Sequence, residues 1–165
     1  MRKYLMDNTQ VFIHGLESTS KGTKGRYFRE HFPDMIIEDF SGDFYKRMNK
    51  LTDILKEKNN LVIVGSSFGG AMAVQYAINN KSKVKKLILL APAIHLPEIL
   101  IKSDIRLDLP VIIYHGTNDI VVNPRLVKEI SSKIFPNMEH HLVEDDHPLT
   151  QTFPILDWHN LLKAG

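Results

Sequence analysis

Residues 61–70 read LVIVGSSFGG, and this stretch is the most informative part of the sequence about the fold. An aliphatic run, Leu61–Val64, leads into a turn rich in glycine and serine, and an alanine-rich segment follows. Ser67 is the centre of a G-x-S-x-G pattern, with Gly65 and Gly69 two positions to either side. Side chains flanking the apex of such a tight turn would clash, which favours glycine there. The pattern predicts a strand, a sharp turn that exposes Ser67, and a helix.

Five other apolar runs are mostly continuous rather than alternating, which is typical of parallel strands covered by helices on both faces. They are Val11–Ile13, Met35–Ile37, Leu87–Leu90, Val111–Tyr114 and a weaker run, His141–Val143. The helix-like segments that alternate with the strands are Lys24–His31, Phe44–Lys58, Phe68–Asn79, Pro124–Phe135 and Phe153–Leu162. The alternation predicts an α/β three-layer sandwich with about six mainly parallel strands, formed as one domain over residues 1–165.

The composition excludes several classes of site. The chain of 165 residues has no cysteine, so disulfides, thiolate zinc sites and cysteine nucleophiles are ruled out. A formal net charge of +2 gives no indication of nucleic acid or a membrane surface as a partner. Residues 1–8 carry positive charge without an apolar stretch behind it, so we expect no secretory signal. No apolar run approaches the ~20 residues of a membrane helix, and we expect a cytoplasmic protein.

Ser67 is a candidate nucleophile because the turn presents its hydroxyl at the start of a helix. The backbone N–H of Phe68 would then point at a developing oxyanion. The alternative interpretation is a glycine-rich turn that binds phosphate or only packs. Ser66 offers a competing hydroxyl, but its offset of one residue takes it away from the apex.

A serine nucleophile needs a base, and the base needs an acid that orients it. Asp119 lies just beyond the strand Val111–Tyr114, where catalytic groups collect at the carboxyl ends of parallel strands. It can also be read as a turn aspartate that binds backbone N–H groups. His147 follows the last strand and is the candidate base. Asp145 and Asp146 are reserve candidates for the acid, although their closeness to His147 in sequence makes a suitable orientation harder.

Two other histidines also follow strands, but each precedes a glycine and is assigned a different role. His14 and Gly15 end the first strand, and the N–H of Leu16 is the expected second oxyanion donor. We expect His14, Gly15 and Ser66 to contact the substrate. His115 is given no part in the chemistry. The basic segment Lys21–Arg26 could attract an anionic acid or phosphate group, but a solvated loop is the better explanation.

Four motifs occur in order, each at the end of a strand: His14-Gly15, residues 65–70, residues 115–119 and Asp146-His147. Together they make the chain resemble the α/β-hydrolase superfamily over essentially its whole length. The resemblance is strongest to small lidless serine esterases, including the YqiA-like and RBBP9-like groups. It implies a triad of Ser67, Asp119 and His147, with Leu16 and Phe68 as oxyanion donors, and it needs no metal and no cofactor.

The sequence also departs from the larger members of that superfamily. Its first motif begins at residue 11, which leaves no room for an additional strand pair before it. The segment Pro92–Asp108 is long enough for a short helix but not for a lid domain. We therefore expect an open site with little selectivity for the acyl chain.

The predicted function is a carboxylesterase acting on small or short-to-medium acyl esters, and the expected partner is a small-molecule ester or thioester substrate, with no nucleic acid and no membrane. The alternatives are an acyl-CoA thioesterase with the same triad and a non-catalytic interaction module that keeps the fold. The oligomeric state and the physiological substrate stay open.

Overall fold

The computed structural model describes residues 8–165. The prediction that no secretory signal is present concerns residues 1–8, and residues 1–7 lie outside the described part of the chain. The six strands are β1 Thr9–Ile13, β2 Ile36–Ile37, β3 Leu61–Ser66, β4 Val84–Leu90, β5 Val111–Gly116 and β6 Met138–Val143. The helices are α1 Thr23–His31, α2 Phe44–Ile54, α3 Phe68–Asn79, α4 Pro124–Ile134 and α5 Trp158–Leu161, with a 3₁₀ turn at Phe153–Ile155. Among residues 8–165, no helix is both long and apolar enough to cross a bilayer.

The six strands form one sheet in the order β2-β1-β3-β4-β5-β6, and every neighbouring pair is parallel. The predicted α/β fold is confirmed, and the sheet is wholly rather than mainly parallel. The strand order reverses at β1, because β2 lies on one side of it and β3 on the other. In open α/β sheets such a reversal leaves a crevice at the carboxyl ends of the strands. Ser67 follows β3 at this crevice.

Alternate side chains of the central strands enter two separate cores, as period-two strand geometry requires. In β3, Leu61 and Ile63 pack with α2, α3 and α4, while Val62 and Val64 pack on the opposite face with α1 and the C-terminal segment. Phe28 of α1 and Trp158 of α5 are fully buried in that second core. Both faces of the sheet are therefore covered, which explains the continuous apolar runs.

Two predicted helices are shorter or more broken than expected. The predicted helix Phe44–Lys58 ends at Ile54, because the chain must turn back into β3 and Asn60 adopts a φ of 53° to do so. The predicted helix Phe153–Leu162 is split into the 3₁₀ turn and α5. Leu156 between them is extended, and the Asp157 carboxylate accepts a hydrogen bond from Asn160 N that starts a new helix.

Two strands begin earlier than predicted because polar residues interrupt the apolar run near their starts. β4 starts at Val84 and includes Lys85 and Lys86, and β6 starts at Met138 rather than His141. β6 is an edge strand with half-exposed and exposed positions, so a continuous apolar run is not required. The other boundaries agree with the predictions within two residues.

The connection from β4 to β5 contains no cap domain. It forms neither helix nor strand, although the sequence left room for a short helix in it. Ala93, Ile94, Ile99 and Leu107 are instead buried against the main core. This packing holds the segment to the body of the fold, as an irregular connection with apolar anchors.

Candidate active site

Ser67 occupies the sharp turn between β3 and α3 in an unusual backbone conformation, with φ 53° and ψ −114°. A side-chain-bearing residue in this region is strained and persists only where its surroundings hold it. Here the Ser67 N–H donates to Leu90 O at 2.9 Å, and the Ser67 carbonyl accepts from Ala93 N and Gly70 N, each at 2.9 Å. With a further hydrogen bond from Ala71 N to the same carbonyl at 3.2 Å, four backbone hydrogen bonds fix the turn that the glycine spacing predicts.

The two glycines of the motif are required for different reasons. A Cβ added to Gly65 would lie 2.5 Å from the Gly69 carbonyl oxygen, so the two flanks of the turn do approach each other. A Cβ added to Gly69 would lie 2.1 Å from the Ile13 carbonyl oxygen instead. Gly69 therefore makes room for the end of β1, a contact that the sequence pattern alone does not reveal.

The structure brings Ser67, His147 and Asp119 together in a continuous hydrogen-bonded row. The Ser67 hydroxyl lies 2.9 Å from His147 Nε2. His147 Nδ1 lies 2.6 Å from Asp119 Oδ2. The Asp119 side chain is fully buried and that of His147 is 19% exposed, so the row runs from the interior to the site opening. The ring is oriented with Nδ1–H donating to the carboxylate, which leaves Nε2 free to accept the serine proton.

Asp119 is ionised and fixed by its neighbours. Its Oδ1 accepts backbone hydrogen bonds from Val121 N and Val122 N, both at 2.8 Å. Burial acts to raise the pKa of the carboxyl, but the hydrogen bonds from His147, Val122 and Val121 outweigh burial and hold the pKa below its ordinary value of 3.8. Asp119 binds the backbone of its turn and also contacts His147, so the turn interpretation does not exclude the predicted role as the acid.

His115 contacts Asp119, a contact that the sequence did not reveal. Its Nε2 lies 3.0 Å from Asp119 Oδ2 and 3.1 Å from Val122 O, and its side chain is fully buried. Since Nε2 faces two acceptors, it carries the proton. Burial lowers the pKa of His115 below 6.5, against the opposing effect of these two acceptors, so the ring is neutral. The sequence signal was a histidine four positions before the acid, which only the turn geometry makes meaningful.

The reserve acids are both occupied elsewhere. Asp145 accepts from the backbone amides of Asp146, Gln151 and Thr152 at 2.8, 3.1 and 2.7 Å. Asp146 accepts from Thr150 N and from its hydroxyl. Both carboxylates therefore order the loop that carries His147.

His14 shapes the loop after β1. Its Nδ1–H donates to Gly15 O at 2.7 Å, and its Nε2 accepts from Phe40 N at 2.9 Å. Burial lowers the pKa of His14, consistent with this neutral form. Both ring nitrogens are thus bound to backbone, and the predicted contact of His14 with substrate stays a prediction.

A cavity of about 700 Å³ opens beside Ser67, and the other predicted site residues line it. Gly15, Leu16, Ser66 and Phe68 line it together with His14, and Leu16 is half exposed. One flank, from α1 and the segment after His147, contains Lys24, Tyr27, Leu149, Phe153 and Pro154. The opposite flank contains Ala93, His95, Leu96, Val121 and Val122. The connection between β4 and β5 thus borders the site.

Lys24 of the predicted basic segment lies within this lining. Its ammonium donates to the Pro148 carbonyl, next to His147, and lies 5.3 Å from the centre of the Phe153 ring. In the part of the chain that the structure describes, no group of three or more metal-ligating side chains is arranged to hold an ion.

The comparison with known families settles the family of this chain. A family model described as alpha/beta hydrolase fold matches residues 14–107, more than half of the sequence. The chain belongs to the alpha/beta hydrolase fold family. The match ends before β5, so it contains the Ser67 turn but not Asp119 or His147. A search of curated proteins finds no match.

Solved structures share the fold of this alpha/beta hydrolase at low sequence identity. Est1E from Butyrivibrio proteoclasticus with bound ferulic acid has a TM-score of 0.75 and 16% identity over 90% of this chain and 84% of its own. Mouse alpha/beta hydrolase domain-containing protein 10 has a TM-score of 0.75 and 21% identity over 93% and 86%. The Bacillus cereus carboxylesterase has a TM-score of 0.64 and 17% identity over 96% and 85%. The narrower resemblance to the YqiA-like and RBBP9-like groups stays a prediction.

Proposed function

We propose that this alpha/beta hydrolase is a serine carboxylesterase that cleaves small or short-to-medium acyl esters through an acyl-enzyme. One observation carries the proposal: Asp119, His147 and Ser67 form an unbroken hydrogen-bonded row, with contacts of 2.6 and 2.9 Å, at a cavity large enough for a small ester. The family assignment supports hydrolase chemistry, and esterases are among the structures that share the fold.

In the proposed reaction, His147 Nε2 takes the hydroxyl proton as Ser67 Oγ attacks the ester carbonyl. A new Oγ–C bond forms, and the carbonyl π electrons move to the oxygen. Asp119 holds the imidazole with Nδ1–H towards its carboxylate and stabilises the imidazolium that forms. His147 then protonates the leaving alcohol as the ester C–O bond breaks. Water attacks the acyl-enzyme by the same route, which regenerates Ser67.

The proposed oxyanion donors are the backbone N–H groups of Phe68 and Leu16. Phe68 is the first residue of α3, and the first four N–H groups of a helix have no acceptor within the helix. The positive end of the helix dipole adds to the attraction for a developing negative charge. Gly15 brings the Leu16 loop against the turn, since a Cβ on Gly15 would lie 3.5 Å from Ser67 Cβ.

A labelled fluorophosphonate tests the nucleophile, and Ser66→Ala is a matched control for Ser67→Ala. We expect one label per wild-type chain, loss of label in Ser67→Ala, and retention in Ser66→Ala, because only the Ser67 hydroxyl contacts His147 Nε2. Peptide mapping would identify the modified residue. A chain that neither labels nor hydrolyses aryl esters would contradict the proposal and would leave a non-catalytic module.

A substrate panel tests the leaving group and the acyl length. It contains p-nitrophenyl esters of increasing chain length, the matching acyl-CoA thioesters, and a feruloyl ester because the Est1E structure holds ferulic acid. We expect the highest kcat/KM with the shorter oxygen esters. A clear preference for acyl-CoA would make the chain a thioesterase that uses the same three side chains.

A further inference from the structure

We propose that His115 is a positioning residue for the Ser67 reaction. It donates from Nε2 to Asp119 Oδ2 and so fixes the carboxylate. Because Oδ2 then accepts from both histidines, Asp119 stabilises the protonated form of His147 less strongly. The proposal rests on the proposed function, because His147 is the base only if Ser67 is the nucleophile.

The contacts of Asp119 show why the second histidine matters. Oδ2 receives His147 Nδ1 at 2.6 Å and His115 Nε2 at 3.0 Å, while Oδ1 receives the amides of Val121 and Val122. The carboxylate is therefore held by four donors, two on each oxygen. His115 also donates to Val122 O, so one ring links the end of β5 to the turn that carries the acid. Without that ring, the Oδ2 side is held by His147 alone.

The surroundings of His115 keep it a neutral donor while His147 gains and loses its proton. His115 Nδ1 is buried and has no hydrogen-bond partner among residues 8–165, so adding a proton there would bury an unsatisfied charged N–H. The titratable groups near the ring are Asp119 and His147 on the loops and His140 on β6. Burial lowers the pKa of His140 as well, and the positive charge of Lys128 adds to this effect. His140 therefore supplies no counter-charge that would favour a charged His115.

This arrangement has a defined effect on the base. A carboxylate oxygen that already accepts from a neutral donor attracts the imidazolium less strongly than one that does not. Removing the His115 donor should make Asp119 a stronger partner for protonated His147, so a lower proton concentration would be needed to free Nε2. The acidic limb of the kcat/KM profile, which reports the base in the free enzyme, should move to higher pH.

The test compares His115→Met with His115→Gln, two side chains of similar length and shape. Glutamine can place an N–H donor where Nε2 stands, and methionine cannot. We expect His115→Met to lower kcat about tenfold with little change in KM and to move the acidic limb to higher pH. We expect His115→Gln to stay within about threefold of the wild type in kcat and to keep its pH profile. Equal behaviour of the two variants, either both active or both impaired, would overturn the proposal.

A second measurement needs neither activity nor the methionine variant. In the wild type labelled with ¹⁵N-histidine, we expect His115 to be the Nε2–H tautomer and to remain neutral over the pH range in which the enzyme is active. An Nδ1–H tautomer, or a charged His115 in that range, would overturn the positioning role. The failures are distinguishable: absence of labelling at Ser67 contradicts the esterase, whereas an active and labelled enzyme with a wrong His115 tautomer contradicts only this proposal.

Discussion

Asp119 and Asp145 are two buried aspartates that follow neighbouring strands, β5 and β6, yet they are bound in different ways. Both carboxyls have a pKa held below 3.8, because hydrogen bonds outweigh the opposing effect of burial. Asp145 gives both oxygens to backbone amides, whereas Asp119 gives one oxygen to amides and the other to two histidines. An aspartate at a strand end therefore becomes a candidate catalytic acid only where the loop leaves one oxygen for a side chain that can carry charge.

Asp119→Asn should give the largest effect. The amide keeps an oxygen for Val121 and Val122 but presents N–H groups to His147, which favours the wrong tautomer of the base. We expect kcat to fall about 10³–10⁴-fold against p-nitrophenyl acetate. Asp146→Asn is the matched control, since Asp146 precedes His147 directly but binds Thr150, and we expect it to stay within about threefold of wild type. An active Asp119→Asn enzyme would contradict the assignment of the acid.

Asp145→Asn should lower the stability more than the activity. Its new N–H groups would face amide donors from Gln151 and Thr152 or from Asp146, which leaves buried donors without an acceptor. We expect a loss of about 1–3 kcal/mol in the free energy of unfolding, measured in urea, and a kcat within about fivefold of wild type. If kcat instead fell a hundredfold with unchanged stability, Asp145 would have a role in the chemistry that its contacts do not suggest.

The pH dependence of stability should show a smaller effect, which distinguishes the buried His115 beside Asp119 from the two buried carboxylates themselves. The folded pKa of His115 lies below the ordinary 6.5. The stability that its neutral form contributes is therefore fully present above pH 6.5, and it is lost as the pH falls from 6.5 through the folded pKa. For the two aspartates, the contribution is present above pH 3.8 and is lost as the pH falls through their lower folded values.

We therefore expect thermal unfolding scans to show a first loss of stability below pH 6.5 and a second below pH 3.8. His14 and His140 also have lowered pKa values and contribute to the first loss. His115→Gln should reduce the first loss without removing it, while Asp145→Asn should reduce only the second. If His115→Gln leaves the loss below pH 6.5 unchanged, the neutral buried form of His115 would be contradicted.

The sequence predicted the sheet, the Ser67 turn and the positions of Asp119 and His147, because each depends on a local pattern at the end of an apolar strand. It did not reveal His115, since a histidine before a glycine looks the same whether its ring faces solvent or an acid four positions later. It also missed the start of β6, where the polar residues 139–141 follow Met138 on an edge strand that needs no continuous apolar run. The sequence also did not reveal the break in the C-terminal helix. The Asp157 carboxylate caps the start of a new helix there, so one helical segment ends and another begins.

His147 stands 80 positions after Ser67 in the chain, in a loop anchored by the edge strand β6 on one side and by buried Leu149 on the other. An edge strand has a neighbour on one side only and can detach at a lower free energy than the central strands. Detachment of β6 would release one of the two anchors of the His147 loop while β3 and the Ser67 turn remain folded. Local opening at this edge would thus loosen the contact between His147 and Ser67 in a protein whose core is still intact.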